Sequence, residues 1–269
     1  MTIVNSSNSI YEDAWVQTPH GRLFARIWSA RGEMESAESK GPIVLFHDSL
    51  GCVELWRSFP ARLCESTGRR VVAYDRLGYG KSDPYQHGWS PDFIREESEI
   101  YFPALRQQLD FNNFIAFGHS VGGSMAVICA AKFADSCQAL ITESAQSFVE
   151  DRTLQGILAA KKEFQAGAQL DRLKKYHGSK AEWVLNAWTE TWLAPEFAAW
   201  SLEADLPEVR CRVLAIHGEH DEYGSHRQPE MIGQLVSGPS QIKILSDCRH
   251  VPHREQEKTV VELVRNFLV

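Results

Sequence analysis

The most constraining feature of this chain is a β-prone apolar segment that turns directly into a helix through a serine with glycines on both sides. The strand-like segment is 114–117, the helix-forming run is 124–131, and between them stands Gly118-His119-Ser120-Val121-Gly122-Gly123. A side chain at Gly118 or Gly122 would collide with a neighbouring strand or helix, and the serine is forced into a strained, exposed conformation. Its oxygen then projects near the positive end of the helix. The pattern predicts a nucleophile elbow with Ser120 as the nucleophile.

Strand-like segments alternate with helical ones over most of the chain. Some of these segments, such as 42–46, are apolar throughout, which is typical of strands buried on both faces of a sheet. The alternation predicts an α/β fold with a mostly parallel, doubly wound sheet of eight strands flanked by helices. The predicted strands are 14–18, 23–28, 42–46, 70–74, 114–117, 139–143, 211–216 and 241–245.

The stretch between residues 144 and 207 interrupts this alternation. It is helical in character, shows no convincing strand pattern, and carries Trp183, Trp188, Trp192 and Trp200. We therefore predict a core of residues 1–143, a helical cap inserted at 144–207, and the rest of the core at 208–269. Since a lid that buries a substrate needs rigid apolar surface, Trp188 and Trp192 are candidates to line the pocket.

Charge and composition exclude several classes of protein. The net charge of −7 argues against a nucleic-acid partner, which would require a basic surface. No apolar run approaches the roughly 20 residues that span a bilayer, and the N-terminus has no secretory-signal pattern. The six cysteines form no C-x-x-C pair, which favours free thiols in a reducing cytoplasm. We expect a cytoplasmic monomer or homodimer that acts on a small molecule without a cofactor.

A serine nucleophile needs an adjacent base, and in open α/β sheets the catalytic groups gather at the carboxyl ends of the strands. Acids and histidines that directly follow predicted strands are therefore the candidates. The candidates for the orienting acid are Asp221, Glu222 and Glu143. The candidates for the base are His250 and His253. His217 and His220 share a loop, but no third ligand is indicated, so we expect no metal site.

Four further signatures accompany the elbow along the chain. They are Phe46-His47-Asp48-Ser49-Leu50-Gly51, Tyr74-Asp75-Arg76-Leu77-Gly78-Tyr79-Gly80-Lys81-Ser82, Gly218-Glu219-His220-Asp221 and Arg249-His250-Val251-Pro252-His253. With these signatures in this order, nearly the whole chain resembles the α/β-hydrolase family. That resemblance implies Ser120 as nucleophile, His250 as general base and acid, and Asp221 as the orienting carboxylate. It also implies an oxyanion hole formed by the backbone N–H groups of Ser49 and Val121.

Other polar residues of these signatures are expected to support the site. Glu143 is interpreted as a polar wall of the pocket and His119 as a hydrogen-bonding neighbour of the serine. Asp48 stands where the family usually has glycine, and Arg249 stands where the family often has glycine. We expect the Asp48 carboxylate to point away from the developing oxyanion and to hydrogen-bond the loop backbone.

The nucleophile narrows the reaction class. Dehalogenases and epoxide hydrolases of the family use an aspartate at the elbow, whereas a serine suits chemistry through an acyl-enzyme. The sequence favours a serine hydrolase that cleaves a carboxylic ester of a small or medium apolar substrate. The alternatives are C–C bond, lactone or amide hydrolysis, acyl transfer, cofactor-free oxygen chemistry, and a small-ligand receptor that keeps the fold.

Overall fold

The computed structural model describes residues 3–4, 9–30, 40–86, 90–165 and 167–269. The strands are β1 (Ile3–Val4), β2 (Ser9–Thr18), β3 (Gly21–Ala30), β4 (Ile43–Phe46), β5 (Val71–Tyr74), β6 (Phe114–His119), β7 (Cys137–Glu143), β8 (Arg212–Gly218) and β9 (Ser240–Leu245). The helices are α1 (Phe59–Thr67), α2 (Phe93–Glu96), α3 (Phe102–Gln108), α4 (Val121–Lys132), α5 (Asp151–Gln165), α6 (Ala168–His177), α7 (Ala181–Leu193), α8 (Arg227–Leu235), α9 (Pro252–Glu255) and α10 (Glu257–Leu268).

All described strands belong to one sheet of order β1-β2-β3-β5-β4-β6-β7-β8-β9. From β5 to β9 every neighbouring pair is parallel, and β1, β2 and β3 extend the sheet antiparallel at one side. The fold class is confirmed: β2 to β9 are the eight expected strands, and β1 adds two residues at the edge. Because β6 lies between β4 and β7, its carboxyl end opens at the centre of the sheet.

Helices cover both faces of the sheet, which makes it doubly wound. On one face, Phe59 of α1 and Val264 of α10 pack in one cluster with Leu45 and Phe117 of the sheet. On the other face, Met125 and other residues of α4 join a second cluster that contains residues of β4 and β6. Strands β4, β5 and β6 are buried at every position, which explains why their sequences are apolar apart from His119 at the end of β6.

Between β7 and β8 the chain forms α5, α6 and α7 together with short 3-10 turns. The described residues of this stretch contain no named strand, although Phe148 and Ser201 form an isolated antiparallel bridge. The cap bounds at 144 and 207 stay a prediction. None of the helices in the described ranges is long and apolar enough to cross a membrane.

The helical segment before the elbow is less regular than the sequence indicates. The sequence predicts a long helix that begins after Pro91 and runs to about Leu109, with Pro103 kinking it or ending its first part. The structure instead has α2, a π-helical turn at Glu97–Tyr101, and then α3. Pro103 stands in the first turn of α3, and the N–H of Phe102 bonds the carbonyl oxygen of Glu97 five residues back. The π-helical turn therefore ends directly before the proline, where an interruption is expected.

The π-helical turn carries a buried acid, Glu97, whose Oε1 accepts a hydrogen bond of 2.6 Å from the Tyr74 hydroxyl. Burial raises the pKa of Glu97 to about 7 from an ordinary 4.5, against the lowering effects of the Tyr74 hydrogen bond and the Arg76 charge. The folded state therefore binds this proton more tightly than the unfolded state. Its stabilising contribution is complete below pH 4.5 and is lost as the pH rises through 7.

We expect Glu97→Gln to stabilise the protein in a pH-dependent manner. The gain in unfolding free energy over wild type should be about 3 kcal/mol at pH 8 and below about 1 kcal/mol at pH 5, because glutamine mimics the protonated acid. Urea denaturation at the two pH values measures it. The exposed Glu99→Gln, on the same turn, is the control and should show no such difference. Equal gains for Glu97→Gln at both pH values would contradict the assignment.

Candidate active site

Ser120 lies between β6 and α4 in a strained backbone conformation with φ 55° and ψ −129°. Positive φ is uncommon for residues other than glycine and marks stored strain. A Cβ on Gly118 would lie 2.1 Å from the carbonyl oxygen of Gly122, and one on Gly122 would lie 2.1 Å from that of Phe46. Glycine is therefore required on both sides of Ser120, because a side chain at either position would clash with the neighbouring backbone.

The structure brings Ser120, His250 and Asp221 together in a hydrogen-bonded row. Ser120 Oγ is 3.0 Å from His250 Nε2, and His250 Nδ1 is 2.9 Å from both carboxylate oxygens of Asp221. All three residues are buried. Since an ionised carboxylate only accepts hydrogen bonds, His250 Nδ1 carries a proton toward Asp221, which leaves Nε2 free to accept the serine proton.

Asp221 is held as an anion by several donors. Its Oδ1 also accepts backbone N–H bonds from Tyr223 at 2.8 Å and Gly224 at 3.1 Å. Burial acts to raise the pKa of Asp221, but His250 and these donors outweigh it and hold the pKa below its ordinary value. The rival acid Glu222 lines the cavity, but its side chain takes no part in this row.

A cavity of about 290 Å³ opens above Ser120. Residues from several elements line it, and α7 contributes Trp188 and Trp192. The predicted pocket residue His119 also lines it, whereas Glu143 does not. The lining residues are Asp48, Ser49, Leu50, Leu55, His119, Ser120, Gln146, Thr153, Ile157, Trp188, Trp192, Glu222, Tyr223, His250, Val251 and Arg254.

Glu143 and His253 form a separate buried pair. His253 Nδ1 is 2.5 Å from Glu143 Oε2, and the two side chains are 3% exposed or less. Burial lowers the pKa of His253, whereas the pKa of Glu143 is below its ordinary value, since His253 and His119 outweigh the effect of burial. A neutral imidazole thus donates to a carboxylate here. Both rivals for catalytic roles are paired with each other instead of with Ser120.

Asp48 uses its two carboxylate oxygens differently. Oδ1 accepts the backbone N–H of Leu50 at 2.8 Å, which is the loop hydrogen bond expected from the sequence. Oδ2 lies 3.2 Å from His119 Nδ1, while His119 Nε2 donates to the carbonyl oxygen of His250 at 2.7 Å. Burial opposes both charges, yet the contact raises the pKa of His119 and lowers that of Asp48. The Asp48 carboxylate therefore lies against the His119 ring beside the site, without a hydrogen bond to His119 Nδ1.

Sequence reasoning missed two residues that contact the reacting groups. Gln146 Oε1 lies 3.2 Å from Ser120 Oγ, and the Tyr223 ring centroid lies 4.7 Å from that of His250. Gln146 follows β7 by three residues, at the same edge of the sheet as the acids and histidines. A search extended to amides after strands would have found it.

The oxyanion hole stays a prediction. Ser49 lines the cavity, and Val121 is the first residue of α4, where backbone N–H groups have no partner within the helix. Both positions suit donors aimed at the space above Ser120.

One group of metal-ligating side chains occurs among the described residues, and it consists of His119, Glu143 and His253. One ligand atom of each lies within 4.8 Å of the others, and two imidazoles with a carboxylate form a donor set suited to zinc. The hydrogen bonds from His119 to the His250 carbonyl and from His253 to Glu143 already account for this cluster.

Comparison with known proteins agrees with this architecture. The family model described as alpha/beta hydrolase fold matches residues 41–256. The chain is 27% identical over 208 residues to mouse Serine hydrolase BPHL, which covers 74% of this chain and 69% of that protein. It is 23% identical over 248 residues to 2-hydroxy-6-oxo-2,4-heptadienoate hydrolase of Pseudomonas putida, covering 84% and 88% of the two chains. Proline iminopeptidase of Mycobacterium smegmatis shares the fold, with a TM-score of 0.74 at 18% identity over 96% and 97% of the chains.

Proposed function

The chain belongs to the alpha/beta hydrolase fold family, and we propose that it is a serine hydrolase that cleaves carboxylic esters through an acyl-enzyme. The observation that carries the proposal is the row of hydrogen bonds from Asp221 through His250 to Ser120 beneath an open cavity. A base oriented by a third group and in contact with a hydroxyl is the arrangement that activates serine.

In the proposed reaction, Ser120 Oγ attacks the ester carbonyl carbon while His250 Nε2 takes the serine proton. Asp221 stays ionised and stabilises the imidazolium that forms. The backbone N–H groups of Ser49 and Val121 would each stabilise the tetrahedral oxyanion by about 3 kcal/mol. His250 then returns the proton to the leaving alcohol, and a water molecule activated by the same histidine hydrolyses the acyl-enzyme.

The cavity supports a small or medium substrate with apolar parts. Its volume of about 290 Å³ is at the small end of the range for ligand pockets. Its walls contain the large apolar side chains of Trp188, Trp192 and Ile157. The Tyr223 ring lies beside the His250 ring, tilted by 58°. Such walls would exclude water from the acylation step and hold a hydrocarbon group by burial.

Hydrolysis of another acyl donor is the second candidate. It is favoured by the relative named 2-hydroxy-6-oxo-2,4-heptadienoate hydrolase, because that match extends over 84% of this chain. The same serine and histidine would form the acyl-enzyme from an amide, a lactone or an activated C–C bond, so the chemistry at Ser120 alone does not separate these substrates.

A covalent probe and a substrate panel test the proposal together. A fluorophosphonate should modify Ser120, as located by mass spectrometry of the digested protein. Among p-nitrophenyl esters, the matching p-nitroanilides, lactones and a vinylogous 1,5-diketone, we expect the esters to have the highest kcat/KM. No adduct at Ser120 would overturn the serine hydrolase. An adduct with faster turnover of another substrate class would replace ester cleavage by that reaction.

A further inference from the structure

The peptide group between Asp48 and Ser49 is held by three hydrogen-bond donors at its carbonyl end. Arg76 Nη2 donates to the Asp48 carbonyl oxygen at 2.9 Å, and His47 Nδ1 donates to it at 2.8 Å. The backbone N–H of Gly51 adds a third bond at 3.2 Å. A carbonyl oxygen has two lone pairs, so three donors engage it fully and fix the direction in which it points.

The direction of this carbonyl also determines the direction of the Ser49 N–H. The peptide is trans, and in a trans peptide the C=O and N–H of one plane point to opposite sides. The Ser49 N–H therefore points away from Arg76 and His47. Ser49 lines the cavity above Ser120, whereas Arg76 and His47 do not. The N–H makes no hydrogen bond with the residues that the structure describes, so it is available to a group in the cavity.

Of the two side chains at this carbonyl, only Arg76 carries a charge. His47 Nε2 accepts the backbone N–H of Arg76 at 3.0 Å, which places the proton of a neutral ring on Nδ1. Burial and the Arg76 charge hold the pKa of His47 well below its ordinary value. Arg76 itself is buried, and its guanidinium lies 4.1 Å from the Tyr79 ring centroid. A charge in such surroundings acts more strongly on its neighbours than a charge in water.

We propose that Arg76 is a positioning residue for the oxyanion hole and acts through the Asp48–Ser49 peptide. A charged donor at the carbonyl polarises the peptide, so its N–H becomes a stronger donor on the other side. That N–H would stabilise the tetrahedral oxyanion formed at Ser120 more than it stabilises the uncharged ester carbonyl. The inference rests on the proposed function and on Ser49 as an oxyanion donor, and Arg76 itself touches no substrate.

The loop has enough other bonds to keep its shape when the Arg76 charge is removed. The Asp48 carbonyl keeps its donors from His47 and Gly51, and Asp48 Oδ1 still accepts the Leu50 N–H at 2.8 Å. No acceptor at this carbonyl is left unsatisfied, which is the usual source of a large stability loss. Substitution of Arg76 is therefore expected to affect the strength of the donor more than the conformation of the loop.

Steady-state kinetics with a p-nitrophenyl ester tests the proposal. Arg76→Gln should lower kcat by about 10- to 100-fold and leave KM within about threefold, because the lost effect belongs to the transition state. The loss is set below that for removal of a whole oxyanion donor, since the N–H remains. Arg76→Lys keeps the charge and should recover at least part of kcat. A kcat of Arg76→Gln within about twofold of wild type would overturn the proposal, as would a rise in KM alone.

Arg106→Gln is the matched control, with the same change in net charge. Arg106 Nη2 also donates to a backbone carbonyl, that of Asn112 at 2.7 Å, and its guanidinium lies 4.6 Å from the Phe133 ring centroid. It does not line the cavity above Ser120, so kcat should stay within about twofold of wild type. An equal loss of kcat in Arg106→Gln and Arg76→Gln would assign the effect to general destabilisation and overturn the proposal.

A measurement on the wild-type protein does not depend on the folding of any variant. Carbonyl-¹³C aspartate and ¹⁵N serine, introduced by cell-free synthesis, together mark only Asp-Ser peptides, and the sequence has two, 48–49 and 135–136. A boronic acid accepts the Ser120 Oγ electron pair at boron while the serine proton passes to His250, which gives a tetrahedral anion with no leaving group. The Ser49 amide proton should then move downfield as its N–H donates to this anion.

The second labelled peptide is an internal reference, because the Ser136 N–H already donates to the Phe133 carbonyl at 2.9 Å. Its resonance should stay in place. An unmoved Ser49 resonance in the inhibited enzyme would overturn the proposal. Loss of boronic acid inhibition in Ser120→Ala reports separately on the hydrolase, so inhibition through Ser120 without a shift at Ser49 overturns only the role of Arg76.

Discussion

Alanine in place of Ser120 should lower kcat/KM for a short-chain p-nitrophenyl ester by about 10⁴- to 10⁶-fold. The loss is this large because the hydroxyl is both the attacking group and the partner of His250, at 3.0 Å. Without it, only direct attack by water remains, assisted by substrate binding and by the proposed oxyanion donors. The residual rate, measured with the same ester at saturating and limiting concentrations, separates this loss from a change in binding.

Ser144→Ala is the matched control for this experiment. Ser144 is also buried, follows the neighbouring strand β7, and has positive φ, but its Oγ has no hydrogen-bond partner. Removing an unpartnered buried hydroxyl should leave stability nearly unchanged and kcat/KM within a few-fold of wild type. Turnover in Ser120→Ala equal to that of Ser144→Ala would rule out Ser120 as the nucleophile.

The fold could be predicted because its strongest signals are local. The apolar residues of β4 and of the first four positions of β6 predict buried parallel strands, and the glycines beside Ser120 predict a tight turn from strand to helix. The π-helical turn at Glu97–Tyr101 could not be predicted in this way. Its geometry accompanies a buried acid that reaches Tyr74 on β5, and that contact depends on tertiary packing.

The site was predictable to the extent that topology determines it. Residues directly after parallel strands meet at one edge of the sheet, so Ser120, Asp221 and His250 could be selected from chain order and position. Which of the remaining polar side chains contact each other depends on tertiary packing and could be determined only from the structure. Nothing local to the sequence indicates that Asp48 faces His119, or that Arg76 Nη2 donates to the carbonyl oxygen of Asp48.

His250→Ala and His253→Ala should separate catalysis from stability. His250→Ala removes the base and should lower the rate of acylation by about 10⁴-fold or more. Its loss of thermal stability should be smaller than that of His253→Ala, because Asp221 keeps the backbone N–H donors of Tyr223 and Gly224. His253→Ala should leave acylation within about tenfold of wild type, because His253 Nδ1 faces Glu143 instead of Ser120. It should instead destabilise the fold by about 3–5 kcal/mol, since a buried carboxylate loses its donor.

The two measurements are the burst rate with a p-nitrophenyl ester and the urea midpoint of each variant. His253→Asn tests the physical reason for the stability loss, because its amide can still donate to Glu143 and should recover part of the lost stability. Loss of the burst in His253→Ala, with retention in His250→Ala, would reverse the assignment of the base. The paired Glu143 would then be the orienting acid, and Asp221 would serve only to hold the loop through its bonds to Tyr223 and Gly224.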